Sequence, residues 1–203
     1  MARARQKMLN FDEGFLGVLR HLLTAVQDSK PVSICRSLCH TWIIFTDGAY
    51  EPGHLQLATF GAVLVSPSGT PVEMFGEPIP TTLLDEFLLE SQHPIYEMEV
   101  LPVILACKIW TKYIAGSPTV FYLDNTAARS ACIKGDGANR ATRVMLFEFV
   151  KLESRFRILS WFGRVPSHSN LADAPSRLCF SDPLLKACRR ISVVAPSHLE
   201  QWG

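Results

Sequence analysis

Two aspartates stand directly after apolar runs that have the length of β-strands. Asp47 ends the run 42–46, "WIIFT", and Asp124 ends the run 119–123, "TVFYL". A carboxylate at the end of a buried strand must stay hydrated, be paired or bind a cation. If the two strands are neighbours, the two like charges repel each other unless a cation lies between them. Since carboxylate oxygens are the ligands that Mg²⁺ and Mn²⁺ prefer, these positions indicate a divalent-metal site.

Three further acidic residues follow patterns that could bring them to the same place. The helical pattern over 94–115 carries Glu97 and Glu99, which face different directions because they are only two residues apart. Glu99 flanks the apolar stripe of this helix and is predicted to lie beside the core, whereas Glu97 is predicted to be solvated. Asp173 follows "SHSNLA" and opens a short helix near the C-terminus.

Each of these acids also has an explanation that involves no chemistry. Asp47 could be a turn residue, Glu99 a surface residue at the rim of the stripe, Asp124 a cap of the helix that starts at Asn125, and Asp173 a partner of Arg177. The four acids together indicate a metal site more specifically than any one of them does. Their order along the chain is an aspartate after a strand, a glutamate on a helix, another aspartate after a strand and a last aspartate.

The elements that would position these acids form an α/β pattern. Strands are predicted over 41–47, 57–66, 71–77, 119–123 and 157–162, and helices over 11–27, 94–115, 125–133 and 139–155. Turn signals join the first three strands, which predicts an antiparallel meander. The segment 80–93 is predicted as a short helix or an ordered loop. The sequence therefore predicts a five-stranded mixed sheet flanked by helices.

Composition limits the classes of function. The 203 residues are 48% hydrophobic and 19% charged, with a net charge of +1, which fits a packed domain and excludes a disordered or strongly basic protein. Neither a signal peptide nor a membrane-spanning run is present, and the six cysteines form no CxxC pair. These features predict an intracellular protein, cytoplasmic or nuclear, with reduced thiols and no membrane partner.

Four stretches of the sequence resemble one family. They are "IIFTDGAY" (43–50), "YEMEVLPVILA" (96–106), "VFYLDNTAARSA" (120–131) and "RVPSHSNLADAPSRL" (164–178). In this order they are similar to the ribonuclease H-like superfamily, specifically to type 1 ribonuclease H and the ribonuclease H domains of retroelement reverse transcriptases. The last stretch is the most distinctive, and the resemblance covers about residues 41–178.

The resemblance implies an endoribonuclease that cuts the RNA strand of an RNA–DNA hybrid with two Mg²⁺ ions, or with Mn²⁺ in their place. By position, the metal ligands and catalytic residues would be Asp47, Glu99, Asp124 and Asp173. The implied substrate contacts are Gly48, Ala49, Asn125, Arg140, Arg143 and His168. Gly48 and Ala49 leave little bulk beside Asp47, so a sugar-phosphate backbone could approach. His168 lies in the loop before Asp173, where a polar loop residue is the alternative to a role in product release.

The same resemblance implies an organisation and leaves other functions open. We expect an N-terminal amphipathic connector over 1–38, a catalytic domain over 39–180 and a C-terminal tail over 181–203. A reverse transcriptase polymerase domain on the N-terminal side is the expected protein partner. One alternative is a catalytically inactive nucleic-acid-binding or scaffold module of the same fold. Another is an exonuclease or integrase on this fold, which the closing stretch disfavours.

Overall fold

The structure, a computed structural model, describes residues 13–27, 40–51, 58–91 and 93–202. The strands are β1 (Trp42–Tyr50), β2 (Ala58–Val65), β3 (Pro71–Pro78), β4 (Pro118–Leu123), β5 (Leu159–Arg164) and β6 (Arg189–Arg190). The helices are α1 (Glu13–Gln27), α2 (Thr81–Glu90), α3 (Ile95–Ile109), α4 (Thr111–Ile114), α5 (Thr126–Lys134), α6 (Arg140–Phe156) and α7 (Asp173–Ser176).

The chain divides into two units, Met1–Arg36 and Ser37–Gly203. The described part of the first unit is helix α1, which confirms the helix predicted over 11–27, apart from residues 11 and 12, which lie outside the described residues. Its side chains Leu22, Leu23 and Val26 are more than half exposed. Among the described helices, none combines the length and the apolar character that crossing a bilayer requires.

The second unit is built on one mixed sheet with the strand order β5-β4-β1-β2-β3-β6. Strands β1, β2 and β3 form the predicted antiparallel meander, while β4 pairs in parallel with β1, and β5 with β4. The sheet has six strands rather than the predicted five. The sixth, Arg189–Arg190, has only two residues, both exposed, so it carries no alternation of apolar and polar residues that a sequence could reveal.

Helices α3 and α6 lie on one face of the sheet, and α7 with the segment around Leu185 covers part of the other. Ile44 and Phe121 belong to the core on the helical face, where α3 and α6 pack. Val63 and Met74 belong to a smaller cluster on the opposite face, together with Leu185 of the C-terminal segment. The helix predicted over 94–115 is divided at Trp110 into α3 and α4, and α3 continues through Pro102.

A buried carboxylate joins the C-terminal segment to the sheet. Glu73 of β3 is 1% exposed and accepts hydrogen bonds from Trp110 Nε1 at 3.0 Å, from the Tyr113 hydroxyl at 2.6 Å and from Arg189. Lys112 Nζ lies 3.5 Å from the same carboxylate. Burial alone would raise the pKa of Glu73, but these hydrogen bonds outweigh burial and lower the pKa.

The residues after 180 belong to the second unit and pack against the rest of it. Leu185, Val193, Leu199 and Trp202 are all buried, and the last three belong to the main core. The C-terminal end is held by helix α2, where Glu86 accepts a hydrogen bond from the backbone of Leu199 at 3.0 Å. Helix α2, in the segment predicted as a short helix or an ordered loop, therefore anchors the end of the described chain.

Candidate active site

The register of two parallel strands brings Asp47 and Asp124 together. Phe45 of β1 is paired with Tyr122 of β4. Asp47 stands two residues after Phe45, inside β1 and not at its end as the sequence predicted, because β1 continues to Tyr50. Asp124 stands two residues after Tyr122 and directly follows the end of β4. The prediction that these two aspartates meet at one edge of the sheet is thus explained by a single pairing of adjacent strands.

Glu99 reaches the same point because β1 lies directly against α3. A Cβ atom added to Gly48 would come within 2.7 Å of the backbone carbonyl of Met98 and 3.0 Å of the Glu99 nitrogen. Only glycine permits this approach. The space that Gly48 leaves is therefore filled by α3, and Ala49 beside it is 7% exposed.

The three carboxylates form one cluster. Asp47, Glu99 and Asp124 each offer an oxygen, and these oxygens lie within 4.8 Å of one another. Within the described part of the chain, Glu99 Oε2 and Asp124 Oδ1 are buried without a hydrogen-bond partner. Buried acceptors are usually satisfied, so these two oxygens lack the partner that a cation would supply.

Burial and mutual repulsion favour the protonated forms of two of these acids. Burial is the main cause that raises the pKa of Asp47 to about 7, and the charges of Asp124 and Asp173 add to it. Burial likewise raises the pKa of Glu99 to about 9, with the charges of Asp47 and Asp124 as further causes. A divalent cation would reverse both effects, because it stabilises the ionised carboxylates.

Asp124 can belong to this cluster because Asn125, and not Asp124, caps helix α5. The Asn125 side chain accepts hydrogen bonds from the backbone N–H groups of Ala127 and Ala128, at 2.9 and 3.0 Å. Asn125 is therefore the N-cap of α5. The alternative in which Asp124 caps this helix is wrong.

Helix α7 rests on two paired glycines. Gly61 of β2 is paired with Gly76 of β3 and, on its other side, with Asp47 of β1. A Cβ atom on Gly61 would lie 2.4 Å from the backbone nitrogen of Ser176, and one on Gly76 would lie 2.0 Å from the carbonyl oxygen of Pro175. These glycines let α7 pack directly on the sheet beside Asp47.

Two residues of the closing stretch 164–178 attach it to β1, and neither was predicted as a site residue. The Ser176 hydroxyl donates a hydrogen bond to Asp47 Oδ2. The Asn170 side chain donates to the carbonyl oxygen of Thr46 at 3.0 Å, and it also accepts from the Ala172 backbone N–H at 3.1 Å. The contacts of Asn170 and Ser176 with β1 each span more than a hundred residues, so no local pattern reveals them. The one sequence signal was that both residues belong to the distinctive stretch 164–178.

Asp173 lies near the cluster but is engaged elsewhere. Arg177 Nε lies 3.2 Å from Asp173 Oδ1, which is the ion pair that the spacing of four residues suggested. Arg177 Nη1 lies 3.0 Å from Glu51, just after β1. The charge of Asp173 still contributes to the raised pKa of Asp47. Asp173 therefore acts electrostatically on the cluster without being one of its three members.

Glu97 is not solvated, and that prediction is wrong. Its relative exposure is 0%, and its Oε1 accepts a hydrogen bond from the Asn139 side chain. Burial, reinforced by the charge of Glu90, raises the pKa of Glu97. The sequence could not show this, because the partner that allows burial lies on a distant loop.

Comparisons with known proteins identify the fold. No family model and no curated protein matches the sequence. Among solved structures, RNase H1 from the halophilic archaeon Halobacterium salinarum NRC-1 matches with a TM-score of 0.53 and 20% identity, over 68% of this chain and 95% of that one. LC11-RNase H1 in complex with an RNA/DNA hybrid matches with a TM-score of 0.52 and 14% identity, over 68% of this chain and 95% of that one.

A third match is the foamy viral protease-reverse transcriptase in complex with RNA/DNA hybrid. Its TM-score is 0.51 and its identity 13%, over 74% of this chain and 21% of that much longer one. The chain has a ribonuclease H-like fold. This confirms the fold that the four stretches of sequence suggested.

Within the ribonuclease H-like fold, the predicted substrate contacts occupy several elements. Arg140 and Arg143 are exposed in the first turn of α6, and Arg143 Nε donates to the carbonyl oxygen of Asn139 at 3.2 Å. His168 is exposed in a 3₁₀ turn over Ser167–Ser169. Their contacts with a nucleic acid stay predictions, as do those of Gly48, Ala49 and Asn125.

The acid cluster of this ribonuclease H-like fold suits a hard divalent cation. All the donor atoms at its centre are carboxylate oxygens, and two of them are buried without a partner in the described chain. Such a donor set matches Mg²⁺ or Mn²⁺ rather than a cation that prefers sulfur or imidazole. The donor chemistry therefore supports divalent-metal binding and leaves the identity of the ion open.

Proposed function

We propose that this protein is a metal-dependent endoribonuclease that hydrolyses the RNA strand of RNA–DNA hybrids. The observation that carries the proposal is the convergence of Asp47, Glu99 and Asp124, with oxygens within 4.8 Å, on a ribonuclease H-like fold. Two of the matching proteins were solved in complex with an RNA/DNA hybrid, which supports the choice of substrate.

In this proposal, Asp47, Glu99 and Asp124 hold two Mg²⁺ ions, with Asp173 as a fourth ligand. The ions would supply Lewis-acid stabilisation of the phosphate under attack and lower the pKa of a water molecule. The Ser176 hydroxyl orients Asp47. The Asn170 side chain fixes the closing stretch against β1, the strand that contains Asp47. Because Asn125 forms the cap of α5, Asp124 is not needed there, and its Oδ1 has no hydrogen-bond partner in the described chain.

The exposed side chains of Arg140 and Arg143, at the start of α6, would bind the hybrid. Arg140 and Arg143 lie at the N-terminal end of that helix, where the helix dipole also favours phosphate groups. His168, in the exposed turn before Asp173, could contact the cut strand. The retroelement origin and an N-terminal polymerase partner stay predictions, supported by the closing stretch and by the reverse transcriptase match.

The test is a cleavage assay with labelled RNA–DNA hybrid, duplex DNA and duplex RNA, with Mg²⁺, Mn²⁺ or EDTA. We expect cleavage of the RNA in the hybrid alone, lost in EDTA and reduced at least about 100-fold by Asp47→Asn or Asp124→Asn, because these residues bind the metal. Asp85→Asn, which changes an exposed aspartate of α2, is the matched control and should retain activity. Binding of hybrid without metal-dependent cleavage would contradict the proposal and favour the inactive scaffold.

A further inference from the structure

Three side chains from α2 and α3 hold the start of α6. Glu90 Oε2 accepts a hydrogen bond from the Ala141 backbone N–H at 3.2 Å. The Tyr96 hydroxyl accepts from the Ala138 backbone N–H at 3.4 Å, and Glu97 Oε1 accepts from the Asn139 side chain. The first N–H groups of a helix have no partner within it, and Glu90 supplies an acceptor to one of them. Tyr96 and Glu97 hold the two residues just before the helix.

Asn139 is the centre of this arrangement. Its side-chain oxygen accepts from the Thr142 backbone N–H at 3.0 Å, which completes the capping box of α6. Its backbone oxygen accepts from Arg143 Nε at 3.2 Å. Its side-chain nitrogen donates to Glu97. One chain of hydrogen bonds therefore runs from Glu97 through Asn139 to the Arg143 guanidinium.

Glu97 acts through this chain and not by contact with a substrate. Its relative exposure is 0%, so a nucleic acid does not reach it. It precedes Glu99 by two residues on one continuous helix, α3. The helix that supplies a carboxylate to the acid cluster therefore also fixes the guanidinium of Arg143.

We propose that Glu97 is a positioning residue that sets the placement of Arg143 and the α6 N-terminus for binding the phosphodiester backbone of the substrate. The inference rests on the proposed function, because it assigns a role in binding the same hybrid. Loss of the Glu97 acceptor lets Asn139 and the first turn of α6 move, which displaces the cations and leaves the acid cluster in place.

The test compares Glu97→Ala with Glu97→Gln in steady-state cleavage of a labelled hybrid. We expect Glu97→Ala to raise KM about tenfold with kcat within about twofold, since the lost interaction serves binding. Glu97→Gln should stay within about twofold of the wild type in both constants, because its amide oxygen still accepts from Asn139. Leu152→Ala, at a buried position later on α6, is the control that lowers stability without changing KM.

Two further measurements make every outcome decisive. Hydrogen exchange of the amides at 139–143 should be faster in Glu97→Ala than in Leu152→Ala, and fluorescence anisotropy with labelled hybrid in EDTA should show weaker binding. If the wild type binds hybrid without cutting it, the proposed function fails, and the anisotropy comparison alone decides the role of Glu97. Unchanged KM and unchanged hybrid affinity in Glu97→Ala, or a wild type that does not bind hybrid, would overturn the inference. If Glu97→Ala does not fold, Asn139→Asp keeps the cap oxygen, removes the donor and should raise KM in the same way.

Discussion

Asp47 serves the proposed chemistry at the expense of stability. Burial and the neighbouring acids raise its pKa from 3.8 to about 7. Between these two values the folded protein holds a proton that the unfolded chain releases, so stability without metal falls as pH rises from about 4 to about 7. Above about pH 7 Asp47 is ionised in the folded protein, and the free energy of unfolding is lowered by the full amount that burial of this charge costs. A bound cation would offset that loss.

Asp47→Asn should therefore stabilise the metal-free protein while abolishing cleavage. In EDTA at pH 8 we expect the free energy of unfolding to increase by on the order of 2 kcal/mol, since the neutral amide removes the repulsion. Urea denaturation monitored by tryptophan fluorescence measures this change. At pH 4, where the carboxyl group is protonated in the folded state, the wild type and the variant should differ little. A variant that is less stable than the wild type at pH 8 would contradict this account.

The pattern of residues predicted the cluster but not its supports. The apolar runs before them predicted Asp47 and Asp124, although β1 continues through Asp47 to Tyr50, and the apolar stripe of α3 predicted the direction of Glu99. Glu97 was predicted wrongly because its burial depends on Asn139, which lies 42 residues away and is not part of any local pattern. Ser176 was missed for the same reason, since its hydrogen bond to Asp47 spans 129 residues.

At the scale of elements, the paired glycines Gly61 and Gly76 set the distance between the sheet and α7. Gly61→Ala would place a methyl group 2.4 Å from the Ser176 nitrogen, and backbone must move to accept it. We expect a loss of about 2–3 kcal/mol in stability together with a fall in hybrid cleavage, because Ser176 moves away from Asp47. Thermal denaturation and the cleavage assay measure the two effects.

Gly17→Ala is the matched control for this substitution. Gly17 lies in α1, and among the described residues nothing lies within 4 Å of a Cβ atom added there, so alanine meets no steric obstacle from them. Alanine also favours a helix over glycine by about 0.5–1 kcal/mol. This variant should leave cleavage and the unfolding of the second unit unchanged. An active Gly61→Ala protein with unchanged stability would refute the role given to the glycine pair.

The buried Glu73 joins β3, the α3–α4 junction and β6, and its effect depends on pH. Because its folded pKa lies below the usual 4.5, the stability that the ionised carboxylate contributes is present above that pH and is lost as pH falls through the folded pKa. Glu73→Gln should cost about 2 kcal/mol at pH 7, and the difference from the wild type should shrink at pH 3.5. Urea denaturation at the two pH values tests this, with Glu77→Gln on the same strand as the control. A difference that is independent of pH would contradict the ionised state of Glu73.

Helices and strands with a strong periodic pattern of apolar residues were predicted well. Elements that depend on contacts between distant parts of the chain were not. The meander and the parallel strands β4 and β5 followed from apolar runs and turn signals. Strand β6 exists because Glu73 and Met74 offer an edge to Arg189 and Arg190, and two exposed arginines carry no strand signal of their own. The division of the long helix at Trp110 is also a tertiary effect, since Trp110 donates a hydrogen bond to Glu73.

At the scale of the whole molecule, the residues after 180 contribute to the main core of the second unit. Each buried apolar side chain such as Val193, Leu199 or Trp202 contributes about 1.5–3 kcal/mol, and a domain of this size has about 5–15 kcal/mol in total. A chain that ends at residue 180 should therefore fail to fold cooperatively at 37 °C. Circular dichroism during heating measures this, and Trp202→Ala, which should cost about 3–5 kcal/mol, is the graded comparison. A shortened chain with an unchanged melting temperature would instead support a domain boundary at residue 180.

The contact between Ser176 and Asp47 also has a consequence for the timing of synthesis. A growing polypeptide presents Asp47, Glu99 and Asp124 before α7 leaves the ribosome, since the last of the three still precedes Ser176 by 52 residues. At translation rates of about 5–20 residues per second the delay is about 3–10 seconds. During that interval the cluster lacks the hydroxyl group that orients its first aspartate. Any catalytic competence of this protein is therefore acquired late, when translation of the domain is nearly finished.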